Sequence, residues 1–76
     1  MEKAFKFRIY PNKTQQVLLP MVYFYVDIET ELGEMLTYYV AAMDEAQAED
    51  FATAAFENGE IECMGIQIVS IYAHRA

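Results

Sequence analysis

Residues 21–42 read MVYFYVDIETELGEMLTYYVAA, and their period decides the fold. From 21 to 31, Val22, Phe24, Val26 and Ile28 alternate with Tyr23, Tyr25, Asp27 and Glu29. A two-residue repeat of this kind is a strand with one buried face. Leu32-Gly33-Glu34 supplies a short turn, with Gly33 free to take a positive φ. Residues 35–42 then return as a second strand: Leu36, Tyr38 and Val40 share one side, and Met35, Thr37 and Tyr39 the other. The two strands form a hairpin.

Next comes the clearest helix. Asp44 stands at the N-cap with Gln47 three residues on, a capping-box arrangement. Ala48, Phe51, Ala52, Ala55 and Phe56 follow at i, i+3, i+4, i+7 and i+8, a narrow apolar stripe suited to packing on a sheet. Glu45, Glu49, Asp50 and Glu57 take the remaining surface, and Asn58-Gly59 supplies the stop. Residues 60–64 fit no single element. After Gly65, the stretch IQIVSIYA alternates Ile66, Ile68, Ser70 and Tyr72 with Gln67, Val69, Ile71 and Ala73. A strand apolar on both sides belongs in the middle of a sheet or beneath a second layer.

Upstream of the hairpin, KAFKFRIY over 3–10 also alternates, with Phe5, Phe7 and Ile9 on one side and Lys6, Arg8 and Tyr10 on the other. This predicts a half-buried strand with a basic outer face, ended by Pro11. Residues 13–19 can form about two helical turns, with Thr14 as N-cap, Val17 and Leu18 inward, and Pro20 as the stop. The predicted class is therefore α+β: a small ferredoxin-like βαββαβ antiparallel sheet with a stunted first helix. If 12–19 is irregular, a four-stranded sheet with one main helix on one face remains. One helix cannot cover four strands, so the opposite face offers tyrosines and aliphatics to a partner.

The 76 residues allow one domain, 1–76, with stability on the order of 4–11 kcal/mol. One cysteine excludes an internal disulfide, and one cysteine with one histidine cannot build a zinc site. With 55% hydrophobic and 14% aromatic residues to hide, oligomerisation is the remaining support, and a homodimer is expected. No run approaches the ~20 apolar residues of a membrane span. With no signal-peptide pattern and a single thiol, a cytoplasmic protein is expected.

Charge divides the chain. Residues 1–13 hold four cations and Glu2, a net +3, whereas 14–74 hold eleven carboxylates and no cation, −11; Arg75 brings the total to −7. An acidic body over 20–76 disfavours nucleic acid and anionic membranes. The ordinary use of such charge is solubility.

The basic opening has a counterpart. Lys3, Ala4, Phe5, Lys6, Phe7, Arg8, Ile9, Tyr10, Pro11, Asn12, Lys13 and Gln15 resemble the start of the TnpB (OrfB) proteins of bacterial transposons, RNA-guided nucleases related to type V CRISPR effectors. Those begin with an aromatic and basic strand followed by a Gln/Glu-rich helix start. The resemblance covers residues 1–19 and fades by Leu19, where this chain places Pro20. The family's nuclease domain and four-cysteine zinc ribbon have no counterpart here, so no activity carries over. It implies only that Lys3, Lys6, Arg8 and Lys13 descend from a strand that faces nucleic acid. A chimeric gene, with Met21 an older start, would explain the abrupt change in charge.

No catalytic, cofactor-binding or metal-binding residues are expected, and no cofactor. Cys63 with His74 could suggest a nucleophile and its base, but an inert thiol in an apolar stretch and a solvated histidine near the terminus are the simpler reading. Asp27, Glu29, Glu31 and Glu34 lack the glycine-punctuated loop of a calcium site and read as a solvated hairpin edge. Tyr23, Tyr25 and Tyr39 could stack bases. Their neighbours are acids, which favours a protein interface that also draws on Ile71. Glu45, Glu49, Asp50 and Glu57, extended by Asp27, Glu29, Glu60 and Glu62, could imitate a row of phosphates. The expectation is a non-enzymatic protein-binding module of mobile-element or phage origin. In its sharper form it is an anti-CRISPR-like inhibitor of a nucleic-acid-processing protein. The rival is a nucleic-acid-binding remnant using the basic strand.

Overall fold

The computed structural model describes residues 8–12 and 15–76. It contains β1 (Arg8–Pro11), β2 (Val22–Thr30), β3 (Met35–Ala42), α1 (Glu45–Glu57) and β4 (Ile68–Arg75). The strands form one sheet in the order β1-β3-β2-β4. The class is α+β, four strands and one helix, consistent with a small fold of the ferredoxin-like type. The sheet is mixed rather than wholly antiparallel, because β1 runs parallel to β3. The chain after Pro11 passes the C-terminal end of β3 before entering β2, which puts β1 on the far side of β3 at the sheet edge. Among the described residues no helix is long and apolar enough to cross a membrane.

The hairpin forms as its alternation predicts. Tyr25 lies opposite Tyr39, Asp27 opposite Thr37 and Ile28 opposite Leu36. Phe24, Val26, Ile28, Leu36, Tyr38, Val40 and Ala42 are all buried beneath α1. The helix meets them with Ala48, Ala52 and Ala55, flanked by the partly buried Phe51 and Phe56. Alanine at each contact lets the helix axis approach the sheet closely. At the helix start, Gln47 N–H donates to Asp44 Oδ1 at 2.9 Å, and Met43 N–H donates back to Gln47 Oε1 at 2.7 Å. At its end, Gly59 takes φ 78°, and Glu60 N–H returns to the Ala55 carbonyl.

Among the described residues, no part of the predicted first helix is helical. Residues 15–18 have no regular structure, Leu19-Pro20 is a turn, and Val17 and Leu18 are exposed. A tertiary contact competes with helical geometry: the Gln15 side-chain amide both donates to and accepts from the backbone of Ala41. It thereby continues the β3 edge beyond the end of β1. Thr14 lies outside the described residues, as does the predicted strand at 3–7.

The orientation of β1 also differs from expectation. Tyr10 packs against the core and Ile9 is 56% exposed on the other side. Tyr10 pairs with the buried Tyr38, and its hydroxyl donates to the Glu62 carbonyl at 2.8 Å. The parallel register with β3, not the local pattern, sets which side turns inward.

The last strand begins at Ile68 and runs to Arg75. It is an edge strand on β2, not a central one. A bulge between Glu29 and Thr30 brings Ile68 rather than Val69 opposite Thr30. Ile68 therefore joins Ile71, which lies opposite the buried Ile28, in the core, while Val69 is exposed. That shift explains the apolar residues on both sides without requiring a second layer.

Candidate functional site: the open sheet face

The side of the sheet away from α1 carries Tyr23, Tyr25, Asp27 and Glu29 from β2, Met35, Thr37 and Tyr39 from β3, and Ser70, Tyr72 and His74 from β4. Cross-strand pairing aligns their rings. Tyr23 stacks on Tyr39 with centroids 4.8 Å apart and planes at 4°. Tyr39 meets Tyr25 at 5.1 Å, Tyr25 meets His74 at 6.0 Å, and His74 stacks on Tyr72 at 5.6 Å. The result is a continuous row of five rings across three strands. Offset and tilted pairs at such spacings are mutually attractive.

Beside the row lies one polar cluster. Asp27 Oδ1 accepts from the Thr37 hydroxyl at 3.0 Å, and its Oδ2 lies 3.1 Å from His74 Nε2. The carboxylate can only accept, so Nε2 carries the hydrogen. Both partners are partly exposed, which limits what the pair contributes to stability. Its effect is to fix the ring of His74 in the row. Tyr72 is 62% exposed, Met35 49% and Tyr23 42%, so large apolar surface remains open to solvent.

Of the predicted interface residues, Tyr23, Tyr25 and Tyr39 come together here. Ile71 does not: it lies opposite Ile28 and packs into the core. Tyr72 and His74 complete the row, and continuing the alternation of Ser70 and Tyr72 by one residue past Ala73 reaches His74. Nor is His74 a free tail residue, since it is held within β4. Cys63 is far from it in the fold, packed at the core margin, where burial and the Glu34 carboxylate push its thiol pKa upward.

The helix acids are split. Glu45, Asp50 and Glu57 are exposed, but Glu49 turns to β4, where its Oε2 accepts from the Ala73 amide at 3.2 Å. This carboxylate covers part of an otherwise open strand edge. Glu31 and Glu34 are not a solvated hairpin edge. Glu34 accepts from the amides of Met64 and Gly65 and from the Thr30 hydroxyl, each at 2.8 Å. Glu31 accepts from the amides of Ile66 and Gln67. Those amides hold both carboxyls below the ordinary range, with Ile66 the largest influence on Glu31 and Met64 on Glu34. Sequence reasoning missed this clamp, because its partners are backbone amides of a loop. Among the described residues, no group of three His, Cys, Asp or Glu could hold a metal ion. Arg8 opens β1 opposite Leu36; Lys3, Lys6 and Lys13 lie outside the described residues.

Compared with known proteins, residues 1–21 match a family model described as a helix-turn-helix domain, of the OrfB proteins of IS605 type. The opening thus resembles the N-terminal segment of TnpB/OrfB transposon proteins. Within that stretch the described residues form strand β1 and no helix. No curated protein and no solved structure matches the chain.

Proposed function

We propose that this protein is a non-enzymatic protein-binding module that self-associates through its open sheet face. The observation that carries this reading is the row Tyr23–Tyr39–Tyr25–His74–Tyr72, which no described element covers, with exposed Met35 and Ile9 on the same face. Tyrosine and methionine favour interface centres, and ordered rings lose little freedom when covered. A two-fold axis through the face would lay one row across its copy. Light scattering tests this: a dimer is expected, and a monomer at high concentration would contradict it.

The resemblance of the opening to a transposon protein supports an origin in a mobile element. In the sharper form of this reading the partner is a nucleic-acid-processing enzyme met by exposed acids such as Glu45, Asp50 and Glu57. Inhibition of such an enzyme should then weaken when these become glutamine.

The same resemblance favours a second reading, in which the basic opening and the tyrosine row bind single-stranded nucleic acid. The Asp27 and Glu29 carboxylates among the rings disfavour it. Gel shifts with DNA and RNA at low salt separate the two. Retention lost on replacing Lys3, Lys6, Arg8 and Lys13 by alanine would support this second reading.

A further inference from the structure

A second exposed surface lies at the end of the molecule where β2 turns into β3. The turn 31–34 and the loop 60–67 are joined there by the carboxylates of Glu31 and Glu34. Their side chains accept the amides of Met64, Gly65, Ile66 and Gln67, and Glu31 N–H donates to the Gln67 carbonyl. Thr30 fixes the turn from within, its hydroxyl oxygen accepting from the amides of Leu32 and Glu34. On this double loop stand Leu32, Met64 and Ile66, exposed by 60%, 81% and 81%.

Isolated apolar side chains on a surface are common. Three large ones on a backbone held by so many bonds are different, because they cannot fold back to hide. A loop already ordered loses little entropy on docking. The segments 31–34 and 60–67 also contain Glu31, Glu34, Glu60 and Glu62 and no cation.

We infer that this tip is a docking surface for a different protein, one presenting an apolar stripe flanked by lysine or arginine. Charge selects the occupant. An anionic membrane or a nucleic acid would be repelled by the four carboxylates, and a second copy would set like charges against each other. Cationic flanks are attracted, while Leu32, Met64 and Ile66 pack on the stripe. This surface is separate from the open sheet face, so either can fail without the other.

The test uses the whole chain and a defined probe: a synthetic amphipathic helical peptide of leucine and lysine. Binding is followed by fluorescence anisotropy and by amide chemical shifts. We expect shifts confined to residues 31–34 and 60–67. Affinity should fall about tenfold or more in the triple variant Leu32→Ser, Met64→Ser, Ile66→Ser. It should weaken with salt and in the variant Glu60→Gln, Glu62→Gln. Tyr72→Ser, on the other face, should leave binding unchanged. An unaltered melting temperature keeps the triple variant interpretable, and the glutamine variant provides an independent readout should it fail to fold. Absence of binding, shifts centred on the tyrosine row, equal affinity in the triple variant, or preferential binding to anionic lipid vesicles would each overturn the proposal. So would a change in oligomeric state caused by the tip substitutions, which would indicate a second copy as the occupant.

Discussion

Tyr23, Phe24 and Tyr25 are consecutive on β2, yet they belong to two different environments. Phe24 is buried under α1 with Val26 and Ile28, among alanines that bring the helix close. Its neighbours turn the other way into a row of rings that no other described element covers. The covered face is aliphatic and filled, and its side chains interlock. The open face is aromatic and holds a carboxylate and an imidazole, and its order comes from stacking and cross-strand pairing. One strand thus serves stability on one side and, in our reading, recognition on the other.

The largest effect should come from breaking the covered side. Phe24→Ala should cost about 3–5 kcal/mol in urea unfolding, a large share of what a chain this size possesses. Tyr72→Ser, on the exposed side, should change monomer stability by less than about 1 kcal/mol. Comparable losses from the two substitutions would erase the distinction between the faces.

A smaller effect is expected where the strands end. A Cβ on Gly65 would lie 2.5 Å from Thr30 Cβ and 2.9 Å from Glu31 Oε1. Gly65→Ala should therefore strain the clamp and lower stability by about 1–3 kcal/mol. Thermal unfolding with unchanged stability would show that the loop adjusts freely.

The clamp also gives the molecule a pH dependence. The amides of Ile66 and Met64 hold the folded carboxyls of Glu31 and Glu34 below the ordinary glutamate range. Their contribution is fully present above the unfolded pKa and is lost as pH falls through the lower, folded values. Melting temperatures taken from pH 7 to about pH 3 should show the variant Glu31→Gln, Glu34→Gln losing less than the wild type over that acid range. Parallel curves would remove the clamp from the account.

Most of the covered face was legible in the sequence. The period of β2 and β3 and the stripe of Ala48, Ala52 and Ala55 each require only neighbours along the chain. The errors lie where distant residues decide. Gln15 forgoes a local helix for the backbone of Ala41. Ile71 faces the core because β4 pairs it with Ile28 across β2, a register that the local pattern does not reveal. Tyr10 turned inward because a parallel partner, Tyr38, dictates it. Of the open face, the three tyrosines were legible from alternation. The bonds of Asp27 to Thr37 and His74 were not, because they depend on which strands become neighbours. Arg8–Pro11 of the opening pairs with β3 as the edge of the sheet, a contact that also depends on distant residues.

Amide chemical shifts recorded over a dilution series ask most directly whether the bare side of the sheet is where two copies meet. Concentration-dependent shifts are expected at Tyr23, Tyr25, Tyr39, Tyr72 and His74, and they should vanish when Tyr23 and Tyr72 are both serine. Spectra that do not change with concentration, or changes confined to α1 or to the 31–34 turn, would contradict it.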